Sequence, residues 1–109
     1  MIYTVNTKKA IKIAFAAHQG QLDKAGLPYI LHPIHLAEQM ETEETTIVAL
    51  LHDVVEDTNI TLEDLKENGF KSEIIEAIAL MTHSDETDYM DYVRAIKENP
   101  IAKTVKLAD

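Results

Sequence analysis

Apolar residues recur along this chain at helical spacing. Residues 7 to 18 place Ala10, Ile11, Ala14, Phe15 and His18 on one stripe, which predicts a first helix. "GQLDKAGLPY" carries Gly20, Gly26 and Pro28 and reads as a loop. His32-Pro33 looks like the start of a second helix, with Pro33 in the first helical position, running to about Met40. Thr42 is a plausible cap for a third, in which Glu43 and Glu44 occupy the first turn and Ile47, Val48, Leu51, Val54 and Val55 form the apolar face. Thr61 and Asp64 have the spacing of a capping box for a short helix ending near Gly69. Residues 72 to 82 form another amphipathic segment, "HSDETD" is polar loop, and "YMDYVRAIKEN" is helical until Pro100. "IAKTVKLAD" then supplies a last helix. No segment alternates with period two between turn signals, so the expected fold is all-α, a compact single-domain bundle of six or seven helices.

The central helix raises a chemical question. In "ALLHDVVED" most positions are apolar, yet Ala49, His52, Asp53 and Glu56 fall at i, i+3, i+4 and i+7 on one face, with Asp57 at its border. Either this stripe faces solvent as the polar side of an amphipathic helix, or it is buried and needs partners, because unpaired buried carboxylates are costly. His32 at a helix start and Asp109 on a mostly apolar helix are matching groups elsewhere in the chain.

Composition narrows the second possibility. The 109 residues include no cysteine, which excludes disulfides and thiolate metal sites. Any metal would be held by His, Asp and Glu, a donor set suited to Mn, Fe, Co, Zn or Mg. A net charge of −9, from nineteen acidic and ten basic residues, argues against nucleic acid and anionic membranes as partners. A small phosphorylated substrate stays compatible if a cation attracts it. With no signal-like or membrane-spanning apolar run, a cytoplasmic location is expected.

The order of "PYILHP", "ALLHDVVEDT" and "KLAD", together with "AAHQGQ" and "GFKSEIIEAIALMTH", resembles the HD superfamily of metal-dependent phosphohydrolases over roughly residues 10 to 109. It is most similar to the hydrolase domain of RelA/SpoT-type enzymes of the stringent response and their small stand-alone relatives, which remove pyrophosphate from (p)ppGpp. The resemblance implies His32, His52, Asp53 and Asp109 as ligands of a divalent metal, usually manganese, and Glu56 and Asp57 as the catalytic acidic pair. Lys24, Lys106 and His83 are the candidate contacts for substrate phosphates.

The sequence departs from the family's pattern in three places. Asp23 stands where the family commonly has arginine, and His83 where it often has lysine. The family's helix also continues past the aspartate matched by Asp109 with residues that contact the nucleotide. The expectation is therefore one phosphohydrolase domain over 1–109, C-terminally truncated, either a fragment or a shortened protein. It would be an enzyme hydrolysing the 3′-pyrophosphate of (p)ppGpp, a small-molecule nucleotide. The alternatives are another nucleoside phosphate as substrate, or an inactive nucleotide-binding module.

Overall fold

The computed structural model describes residues 1–82 and 88–109. Among them are seven helices: α1 (Val5–Ala17), α2 (Leu31–Glu38), α3 (Glu43–Asp57), α4 (Leu62–Glu67), α5 (Ser72–Met81), α6 (Tyr89–Glu98) and α7 (Pro100–Ala108). An antiparallel bridge between Leu22 and Pro28 is the one β-type pairing among the described residues, so the all-α expectation holds. Most of the expected "HSDETD" loop lies outside the described residues. Its last residue, Asp88, caps α6 by accepting the N–H of Met90 at 2.7 Å.

α3 is the axis of the bundle, packed against α1, α2, α5 and α7. The run from Thr45 to His52 is buried without interruption, which is more than one stripe and marks a helix surrounded by others. Two of these positions carry hydroxyls, and both are satisfied locally: Thr45 and Thr46 donate to the carbonyl of Thr42 at 3.3 and 2.6 Å. Thr42 is the cap that was expected, accepting the N–H of Thr45 at 3.2 Å. The acidic first turn is anchored rather than merely solvated. Glu43 accepts from the Thr4 hydroxyl at 2.6 Å and Glu44 pairs with Lys71 at 3.6 Å. Burial then declines towards the far end, so α3 runs from the core to the surface through His52 and Asp53 to Glu56 and Asp57.

α1 starts two residues before the apolar stripe because Thr4 and Thr7 form a capping box. Its Ala10 and Ala14, both fully buried, let the α1 backbone approach α3 closely. α2 corrects one expectation: Pro33 is its third residue, not its first. The chain turns before the helix through Leu31 N–H to Pro28 O and His32 N–H to Tyr29 O. Pro33 still lies within the first turn, where a missing N–H breaks no helical hydrogen bond. α2 also ends at Glu38, after which Gln39 and Met40 close with tighter bonds to Leu36 and Ala37.

Two connections position the site. Between α1 and α2 the chain makes a hairpin-like excursion, closed by Asp23 N–H to Leu27 O and Tyr29 N–H to Gln21 O, both 2.8 Å. Gly26, at φ +84°, supplies the left-handed residue this turn requires. Between α6 and α7, Asn99 ends one helix and caps the next by accepting Ala102 N–H at 3.0 Å, with Pro100 at the first helical position. α7 then packs on α3 and α5 and returns Asp109 to His52.

Candidate functional site

His52 is the innermost member of the polar stripe, with a side chain 4% exposed. Its Nδ1 lies 3.2 Å from Val48 O and 3.1 Å from Ala49 O. Carbonyls only accept, so Nδ1 carries the hydrogen and the lone pair of the neutral ring is on Nε2. That atom is buried and makes no hydrogen bond among the described residues. It faces two carboxylates at ion-pair distance, Asp53 Oδ1 at 3.2 Å and Asp109 Oδ2 at 3.6 Å. The second oxygen of Asp109 lies 3.0 Å from Nε2 of His32, which α2 brings in from the solvent side. Asp53 is also held on its second oxygen, which accepts from the Tyr29 hydroxyl at 2.6 Å. Three helices and the α1–α2 connection thus bring His32, His52, Asp53 and Asp109 to one place.

The electrostatics follow from this crowding. Burial pulls the pKa of His52 down, but Asp109 and Asp53 outweigh it and the net shift is upward. The imidazole of His52 facing it, with His32 adding to it, holds Asp109 at about 2 despite its partial burial. Burial and the neighbouring Asp53 push the Tyr29 phenol upward, so it stays protonated and donates.

These donors suit a divalent cation. Two imidazoles and two carboxylates stand 3.0–3.6 Å apart in pairs, a nitrogen and oxygen donor set that a divalent cation would take. Among the described residues no group of three or more His, Asp or Glu side chains is arranged to hold a metal ion; the four are in pairwise contact with one another instead. The fit rests on the donor chemistry and on the buried Nε2, whose lone pair is fixed by the hydrogen bond on the other side of its ring.

Beside the donors is a cavity of about 300 Å³, lined by His52, Asp53, Glu56, Met81, Tyr89, Tyr92, Lys106 and Asp109. Tyr92 donates to Met81 O at 3.1 Å, and Lys106 Nζ lies 6.0 Å from the Tyr92 ring centre. A larger and more apolar depression of about 620 Å³ lies at the end of α1 against Phe15, Leu22 and Pro28; of the histidines it touches His18 alone.

The other expected residues are placed as follows. Glu56 and Lys106 line the donor cavity, whereas Asp57 lines a separate depression with Gln21 and Thr58. Lys24 is exposed on the α1–α2 excursion and does not line the donor cavity. His83 lies outside the described residues. Of residues outside the expected set, His18 is buried against Tyr29, His35 is exposed, and Arg94 is a surface residue 3.8 Å from Asp91. The stripe matches neither extreme, since His52 is buried, Asp53 intermediate, and Glu56 and Asp57 exposed. Tyr29 had drawn no notice in the sequence. Its signal was a polar-tipped aromatic three residues before a candidate ligand, in "PYILHP".

The HD domain family matches residues 10–107. The chain belongs to the HD domain family. The bifunctional (p)ppGpp synthase/hydrolase SpoT of Escherichia coli K12 is 38% identical over 96 residues, which cover 84% of this chain and 14% of that protein. A guanosine-3′,5′-bis(diphosphate) 3′-pyrophosphohydrolase of Borreliella burgdorferi is 41% identical over 100 residues, covering 87% of this chain and 14% of that protein. This HD domain therefore spans about a seventh of the length of such relatives. It is also similar to the solved structure of a metazoan ortholog of SpoT, described as hydrolysing ppGpp. The TM-score is 0.75 and the identity 26%, over 99% of this chain and 67% of the other. No helix among the described residues is long and apolar enough to cross a membrane.

Proposed function

We propose that this HD domain is a manganese-dependent phosphohydrolase that removes the 3′-pyrophosphate of (p)ppGpp in the cytoplasm. One observation carries the reading: His32, His52, Asp53 and Asp109 meet beside a cavity that also holds an acid, Glu56, and a cation, Lys106. Those four residues would hold the ion. When bound, a divalent cation supplies Lewis acidity, lowering the pKa of water and offsetting phosphate charge.

The chain's own groups do the rest. Glu56, one turn after His52 and exposed at the cavity, accepts a proton from the attacking water. The water oxygen forms a bond to phosphorus, the bond from phosphorus to the 3′ oxygen breaks, and the proton taken up by Glu56 passes to that oxygen, which leaves as a hydroxyl as pyrophosphate is released. Asp57, on the far border of α3, acts through its charge, which reaches as far as Tyr29. Lys106 meets a phosphate oxygen, and Tyr92 borders the same space. Positioning and electrostatics of this kind are what phosphoryl transfer chiefly needs.

The test is pyrophosphate release from ppGpp with added manganese, with Asp53→Ala as the blank. Release that vanishes in the variant supports the reading; no release from the wild type, with manganese bound, counts against this substrate. A second reading, another nucleoside phosphate, is favoured by the α1–α2 excursion. There Asp23 replaces the family's common arginine and is bound to Ala25 and Leu27 N–H groups at 2.8 and 3.0 Å. A nucleotide panel in which only ppGpp turns over would exclude it.

A further inference from the structure

We infer that Tyr29 is a positioning residue for the metal site, holding Oδ2 of Asp53 so that Oδ1 is the oxygen presented beside His52. The inference rests on the metal-dependent reading above and adds a residue to it.

An ionised carboxylate can only accept, so the 2.6 Å contact is a hydrogen bond from the Tyr29 hydroxyl to Asp53 Oδ2, in the short range of charge-assisted O–H···O⁻ bonds. With that oxygen engaged, Oδ1 is the one 3.2 Å from His52 Nε2. The phenol itself has little freedom. Its ring contacts two imidazoles, with centroids 4.9 Å from His18 and 5.9 Å from His32, tilted by 52° and 50°. His18 is buried, and its Nδ1 meets Gln21 Oε1 at 2.8 Å. Tyr29 N–H donates to Gln21 O at 2.8 Å, and Tyr29 O accepts from His32 N–H at 3.0 Å. Both backbone groups are therefore engaged and the ring contacts two imidazoles, so the excursion that ends at Tyr29 decides where the hydroxyl points. One side chain orients two of the four donors, Asp53 by a hydrogen bond and His32 by ring contact. Partners of this kind behind a ligand set its orientation, and their loss typically lowers metal affinity about 10–100-fold.

Tyr29→Phe keeps the ring and deletes the hydroxyl. Manganese titrations followed by electron paramagnetic resonance of the free ion, with melting curves in chelator, compare it with the wild type. The expected result is a manganese Kd raised about 10–100-fold while the chelated proteins melt within a few degrees of each other. Turnover should then recover at saturating manganese, with the KM for nucleotide unchanged. A variant that binds manganese as tightly as the wild type overturns the inference and leaves the metal reading standing. A variant that melts far below the wild type in chelator overturns it too, because the loss is then one of folding. Wild-type protein that takes up no manganese overturns the metal reading and this inference with it.

Discussion

Replacing His52 by alanine in protein kept in chelator tests the electrostatics of the site without metal. The side chain is 4% exposed and contacts Asp53 at 3.2 Å and Asp109 at 3.6 Å. Removing one partner of a fully buried ion pair costs about 3–5 kcal/mol. Here the two carboxylates keep side-chain exposures of 15% and 24%, so water offsets part of the loss and about 2–3 kcal/mol is expected. The helix carbonyls that His52 touches keep their own backbone donors and add little. The pH dependence has a definite sign. Burial lowers the pKa of His52, but Asp109 and Asp53 raise it further, so the folded value lies above the ordinary 6.5. A raised pKa contributes stability that is complete below the unfolded value and is lost as pH rises through the folded one. The gap between wild type and variant should therefore be larger at pH 6 than at pH 9. Urea unfolding in chelator at both values measures it, and with slopes of about 1–3 kcal/mol per molar a midpoint shift of about 0.7–3 M is expected at pH 6. A gap that is equal at the two values, or wider at pH 9, would refute the reasoning.

Three further changes separate chemistry, binding and folding. Glu56→Gln should leave manganese affinity and melting temperature near wild type while turnover falls about 10²–10⁴-fold, as expected for a lost general base; undiminished turnover would remove Glu56 from that role. Lys106→Ala should raise the KM for the nucleotide with less effect on kcat, and the difference should shrink as salt is added. Thr61→Ala breaks a capping box in which Asp64 N–H donates to the Thr61 hydroxyl at 3.1 Å and Thr61 N–H to Asp64 at 2.9 Å. It should cost about 1 kcal/mol in urea unfolding and leave manganese binding untouched.

What could be read from the residues depended on how far apart the interacting groups are in the chain. The caps at Thr42 and Thr61 were legible because donor and acceptor are three residues apart. The start of α2 was misplaced because proline is tolerated throughout a first turn, and the turn from Pro28 to His32 is made by backbone groups that every residue carries. At the site, the shared face of His52, Asp53 and Glu56 was plain from their spacing. That His32 and Asp109 meet them, 77 residues apart from each other, is a product of α2 and α7 packing on α3. The residues alone marked those two only as matching groups, and the family resemblance supplied the set. Tyr29 escaped because the direction of its hydroxyl depends on the folded excursion before it.

The charge of the chain bears on how the site can work at all. A net charge of −9 repels a polyphosphate, and Asp53, Glu56 and Asp109 line the same cavity. Among its described lining residues, Lys106 is the one lysine or arginine set against those three carboxylates. Tyr29 and the histidines do not reverse that balance, since one is neutral and the others are already engaged with Asp109. On the reading proposed here, attraction of the substrate and activation of water both depend on a divalent ion at the four donors. Partial metal loading should then weaken nucleotide binding as well as turnover. An enzyme whose nucleotide affinity is the same with and without manganese would draw its substrate in by some other means, and the role assigned to the four donors would shrink to the chemical step.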